Sequence, residues 1–186
     1  MFPFLLCLTL TACCLFLFGL HLDLFWLRLP CKPIPHLFLI SMAYHFAPKS
    51  SYAKKLIIGL VLCMIGDFLL EFRQSMFIWG LLFFLAGHIA YIFAFIDRKK
   101  DLMLINAIPF VIWGVTVFFI IKNGLGKMTI PVAAYTAIIC IMMWRASTLI
   151  SNNKNLSFFS LAALIGAVFF CYGDTLIAIN RFYQPI

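Results

Sequence analysis

Two stretches of the sequence place an acid where an acid is costly. In "CMIGDFLLEF" (Cys63–Phe72) and in "CYGDTLIAINRF" (Cys171–Phe182), a Gly-Asp pair, Gly66-Asp67 and Gly173-Asp174, sits within an apolar run. A charged, unpaired carboxylate in hydrocarbon costs about 3 kcal/mol or more, so each acid is expected to face a protein interior and to have a task there. Burial favours the neutral form of a carboxyl group, and two carboxyl groups held close together share one proton rather than both ionise. A matched pair of this kind suits acid–base chemistry, with one acid giving a proton while the other carboxylate steadies a cation or orients water. The plainer reading makes each Asp half of a structural ion pair with Arg73, Arg181 or Lys32.

Other polar residues gather toward the same side. Lys32, in "PCKPIP", precedes Pro33, whose missing N–H suits the first turn of a helix. Tyr135, in "PVAAYTA", lies about two turns into its own apolar run. His88 and Tyr91, in "GHIAY", are three apart and project from one helical face. Glu71 follows Asp67 by one turn and is expected at headgroup level. Each also has an ordinary use: Lys32 as a snorkelling anchor, Tyr135 as an interfacial aromatic, His88 as a packing residue.

Membrane helices must position these groups. Of 186 residues, 65% are hydrophobic and 11% charged, against about half and a quarter in soluble domains. Seven spans are expected, at Phe2–Leu20, Ile34–Phe46, Leu56–Phe72, Met76–Ile96, Leu102–Ile121, Met128–Ile150 and Phe158–Ile179. The runs lack period-2 alternation and are about twice the length of a membrane strand, which favours helices over a barrel. The first run lacks a basic leader and a small-residue cleavage site, so it reads as a helix rather than a signal peptide. Connections are short, so the whole chain, 1–186, is expected to form one domain. The third and seventh spans run in the same direction, which sets Asp67 and Asp174 at similar depth.

The net charge of +8 does not point to nucleic acid, because Lys and Arg fall at span ends. Eight basic residues near the N-terminal side, among them Lys154, stand against six on the other and lean toward a cytoplasmic N-terminus. Seven scattered cysteines without a C-x-x-C pair read as apolar filler. His36, His45 and His88 show no H-x-x-x-H spacing, so no metal is expected.

The order "CKPIPHLFLI", "GLVLCMIGDFLLEF", "FIWGLLFFLAGHIAYIFAF", "IPVAAYTAIICIMMWRA" and "GAVFFCYGDTLIAINRF" resembles the YhhN-type family, the lysoplasmalogenases, over roughly Lys32 to Phe182. The resemblance implies an all-α polytopic bundle of about seven helices, where the family pattern has eight. It also implies hydrolysis of the vinyl ether bond of a lysoplasmalogen, giving a fatty aldehyde and a glycerophospho-ethanolamine or -choline. Two departures stand out. Gly173 replaces the family's usual serine before the second Asp, and the sequence stops at "RFYQPI", where the family continues into a further helix.

Vinyl ethers are cleaved by acid, through an oxocarbenium ion that water captures, much as glycosidases use two carboxyl groups. On this reading Asp67 and Asp174 are the catalytic pair, and Lys32, Tyr135, His88 and Tyr91 bind the substrate. No cofactor is implied. The partners implied are a lysophospholipid and the bilayer, the plasma membrane for a bacterial source. Headgroup preference and oligomeric state stay open. A proton-coupled transporter, a metal-dependent membrane hydrolase and an inactive family member remain the alternatives.

Overall fold

The computed structural model describes residues 2–46, 49–72, 76–150 and 158–183. Arg73 and Lys154 therefore lie outside the described residues. The chain is all-α. Its helices are α1 (Phe2–His21), α2 (Phe25–Cys31), α3 (Pro33–Phe46), α4 (Ser51–Leu70), α5 (Phe77–Arg98), α6 (Ile108–Leu125), α7 (Thr129–Thr148) and α8 (Phe158–Phe182). Single 3₁₀ turns precede α6 and α7.

Each of the seven expected apolar runs overlaps a long helix. α2 is an addition, in a stretch that the sequence reads as a connection. Among the described residues, four helical stretches are long and apolar enough to cross a membrane: Pro3–His21, Phe77–Arg98, Leu104–Thr148 and Ser160–Phe182. The third of these contains α6 and α7 on either side of the turn at Gly126, whose φ is +50°. α4 is as long as α1 but carries Lys54, Lys55 and Asp67, more charge than a bare hydrophobic span. Large apolar side chains point outward on many helices, Phe4, Trp79, Ile112 and Phe169 among them, as hydrocarbon rather than water requires.

The chain divides into two compact units, Met1–Ala94 and Phe95–Ile186. In the first, α4 and α5 pack through small residues. A side chain at Gly59 would strike the Tyr91 ring, one at Gly66 the Phe84 ring, one at Gly80 Leu70, and one at Gly87 the Cys63 sulfur, all within 2.9 Å. These contacts step along both helices at intervals of three and four residues, the spacing that keeps one helical face turned to its partner. Ser50 caps α4, its Oγ accepting the Ala53 N–H at 3.3 Å.

In the second unit, α6, α7 and α8 pack on one another. Ile121, Leu125 and Val132 form a buried cluster against Phe118, Ile179 and Phe182. The end of α7 also holds the segment leading into α6. The Trp144 indole N–H donates to the Met103 carbonyl at 2.8 Å, and the buried Arg145 donates to the carbonyls of Asp101 and Lys99.

Candidate active site

The first cluster is built by a turn at the end of α1. Asp23 takes the left-handed conformation, φ +51°, which a short polar side chain tolerates better than most. The Leu24 N–H donates to the Gly19 carbonyl at 2.8 Å and the Asp23 N–H to Leu20 at 3.4 Å, a Schellman-type stop with Asp in the place glycine usually takes. This turn sends α2 back beside α1, where Gly19 leaves room for the aliphatic stem of Arg28.

Lys32 stands between α2 and α3 with helical dihedrals (φ −64°, ψ −44°), so the helical phase carries from one to the other. Pro33 opens α3, as its lack of an N–H suggests. Arg28, Lys32 and His36 then recur every fourth residue along one face. Opposite them are Asp67 and Glu71, also four apart, at the end of α4.

The contacts interleave. Arg28 Nε donates to Glu71 Oε1 at 2.6 Å and Arg28 Nη1 to Asp23 Oδ1 at 2.8 Å. Lys32 Nζ lies 3.0 Å from Glu71 Oε2 and donates to the Asp67 main-chain carbonyl at 3.3 Å. His36 Nε2 lies 3.5 Å from Asp67 Oδ2. The negative end of the α4 dipole favours cations here. Burial disfavours the charged Arg28, but its hydrogen bonds to Asp23 and Glu71 outweigh that cost and raise its pKa above the usual arginine value.

Glu71, expected at headgroup level, is buried at 8% exposure because two cations converge on it. Lys32 reaches Asp67 through the carbonyl, and the Asp67 carboxylate is met by His36. Sequence reasoning weighed His36 only as a metal ligand and placed no role on Arg28. The available signal was the four-residue spacing of Arg28, Lys32 and His36.

His88 is fully buried and stacks on Phe84, with ring centroids 6.4 Å apart. Phe84 in turn abuts Gly66, beside Asp67. Tyr91 lies against Gly59, two turns from Asp67. His88 and Tyr91 therefore sit along the α4/α5 packing face, with Tyr91 away from the Lys32 cluster.

In the second unit, the Tyr135 hydroxyl donates to Asp174 Oδ2 at 2.8 Å. The next residue, Thr175, accepts the Trp113 indole N–H at 3.4 Å and donates back to the Cys171 carbonyl at 2.8 Å. α6 and α7 thus both reach the Asp174 step of α8. The two glycines beside the acids differ. Gly66 is closed by Phe84, whereas no described atom of its own unit lies within 4 Å of where a Gly173 side chain would begin.

An apolar cavity of about 420 Å³ lies between α6 and α7, lined by Ala107, Val111, Gly114, Ala133, Ala137 and Trp144 among others. Among the described residues no three His, Cys, Asp or Glu side chains converge as a metal site requires.

Residues 27–186 match the YhhN family. The chain is 33% identical over 160 residues to lysoplasmalogenase TMEM86A of Bos taurus, covering 84% of this chain and 66% of that protein. It is 29% identical over 163 residues to a lysoplasmalogenase homolog of Dictyostelium discoideum, covering 73% of this chain and 53% of that protein. Against lysoplasmalogenase TMEM86B of Homo sapiens it is 27% identical over 181 residues, 95% of this chain and 74% of the relative. The chain thus spans about two-thirds of the bovine protein's length and about half of the Dictyostelium protein's. No solved structure matches it.

Proposed function

Because the chain belongs to the YhhN family, we propose that it is a multi-pass membrane hydrolase that opens the vinyl ether bond of lysoplasmalogens. The products are a fatty aldehyde and a glycerophospho-ethanolamine or -choline. The observation that carries this reading is the repeated Gly-Asp step, each of whose carboxylates is engaged by a side chain from a neighbouring helix: His36 for Asp67 and Tyr135 for Asp174.

The proposed chemistry follows from these groups. A protonated carboxyl delivers its proton to the outer alkene carbon, and the positive charge spreads over the adjacent carbon and the ether oxygen. The second, anionic carboxylate faces that cation and orients a water molecule. Water bonds to the cationic carbon and returns a proton to the acid pair. The hemiacetal then collapses, its C–O bond to glycerol breaking as the hydroxyl proton passes to the leaving oxygen. We assign the two carboxyl roles to Asp67 and Asp174.

Lys32 fits a tuning role at Asp67, or an electrostatic hold on the substrate phosphate. Tyr135 orients Asp174 and can hydrogen-bond water or headgroup. His88 and Tyr91 shape the wall behind Gly66 and Gly59. The alkenyl chain is apolar and is accommodated among aromatic and aliphatic side chains, for which the α6/α7 cavity offers room.

The test is direct. Purified protein is incubated with a lysoplasmalogen and, in parallel, with the saturated alkyl-ether analogue, and free aldehyde is measured. Aldehyde from the vinyl ether alone is the expected result. No aldehyde from either lipid, or equal cleavage of both, contradicts the reading.

A further inference from the structure

The His36–Asp67 contact has a geometry that the acid-pair chemistry alone does not call for. His36 Nδ1 lies 3.5 Å from the Lys32 carbonyl, a contact that is a hydrogen bond when Nδ1 carries the hydrogen. That leaves Nε2 aimed at Asp67 Oδ2, also at 3.5 Å. A hydrogen on this second axis fits equally well on the imidazole, as a cation facing a carboxylate, or on the carboxyl, as an acid facing a neutral ring.

Charge balance selects for one such hydrogen. Among the described residues, the cluster holds two permanent cations, Arg28 and Lys32, and carboxylates paired with them are Asp23 and Glu71. Those four groups cancel. Asp67 and His36 remain, and together they are neutral when they carry a single acidic proton, wherever it sits. A poorly solvated site penalises the other two states, which have net charge. The other titratable groups near the pair are Cys63 on α4, His88 and Tyr91 on α5, and Cys13 and Cys31 on α1 and α2, while Lys54 and Lys55 lie about three turns away toward the other end of α4 and Asp97 and Arg98 at the far end of α5. None of the groups near the pair contributes a compensating permanent charge.

We propose that His36 is the proton partner of Asp67, the two side chains holding one acidic proton between them and His36 restoring it to Asp67 in each turnover. The catalytic meaning of this partnership rests on the hydrolase reading above; its existence does not. In the reaction, the proton leaves Asp67 for the alkene carbon, and the proton released by the attacking water returns to the pair, so none is gained or lost. His36 acts through Asp67 and is a positioning residue.

Both sides are open to test. The chain has four histidines, His21, His36, His45 and His88, so ring-labelled protein in nanodiscs gives few imidazole resonances, and His36→Gln identifies the one of interest. The expected result is that the His36 ring-nitrogen shifts, which report whether Nε2 carries hydrogen, differ between wild type and Asp67→Asn at one fixed pH, while those of the other three are unchanged. Identical His36 shifts in the two proteins overturn the proposal, whether or not the chain is active. In the aldehyde assay, His36→Gln and His36→Asn are expected to change the shape of the pH–rate profile and to lower kcat by about 10²-fold with little change in KM. An unaltered profile and kcat in both variants rule out the restoring role. Should wild type release no aldehyde, the hydrolase reading fails and the resonance experiment decides the partnership alone.

Discussion

The same two letters, Gly-Asp, are used differently in the two units. Asp67 stands beside a ladder of charge in which Arg28, Lys32 and His36 face Asp67 and Glu71. Asp174 accepts from a buried neutral hydroxyl, Tyr135, and its neighbour Thr175 ties α8 to α6. Gly66 is the flat seat of an aromatic ring, while Gly173 opens onto space within its unit. A repeated motif thus marks where the acids are without fixing what surrounds them. Among the described contacts, the first acid meets a side chain that can carry positive charge, and the second meets a neutral hydroxyl.

Substitutions at four positions sharpen or break this contrast. Glu71→Gln leaves Arg28 and Lys32 without their shared counter-charge. Because Arg28 and Glu71 are both buried, the loss is expected to be about 3 kcal/mol or more in denaturant unfolding in detergent; a change under about 1 kcal/mol speaks against a charge-built first site. Gly66→Ala drives a methyl into Phe84 and is expected to cost about 1–3 kcal/mol in the same measurement. An unchanged midpoint means that α4 and α5 are not packed as described.

Tyr135→Phe removes one neutral hydrogen bond and is expected to lower kcat for aldehyde release by about tenfold, with stability altered by about 1 kcal/mol. Full activity in that variant removes Tyr135 from the site. Gly173→Ala is expected to change stability by less than about 0.5 kcal/mol, and Gly173→Ser should behave alike. A loss as large as that of Gly66→Ala makes the two glycines equivalent and erases the contrast.

Much of this was legible in the sequence where local physics decides. Apolar runs became helices, Pro33 opened α3, and Lys32 and Tyr135 were placed among the polar groups that meet Asp67 and Asp174. What was not legible depends on contacts between distant residues. α2 has seven residues with Pro30 inside it, too short for a periodic signal, and it is stabilised by packing beside α1. Glu71 looked like a headgroup residue because its partner Arg28 is 43 positions away. Asp23 at a helix stop gave no warning, since the left-handed turn usually announces itself with glycine. Burial of His88 followed from the small-residue face of α4 and α5, which the spacing of His88 and Tyr91 alone does not reveal.

The central claim is that Asp67 and Asp174 serve one reaction. Its most direct test is the rate of aldehyde release from a lysoplasmalogen by wild type, Asp67→Asn, Asp174→Asn and the double variant. The account predicts a loss of about 10²-fold or more in kcat for each single variant, and a double variant little worse than the poorer single one, as groups acting together require. Wild-type turnover in either single variant, or losses that multiply in the double, contradicts it.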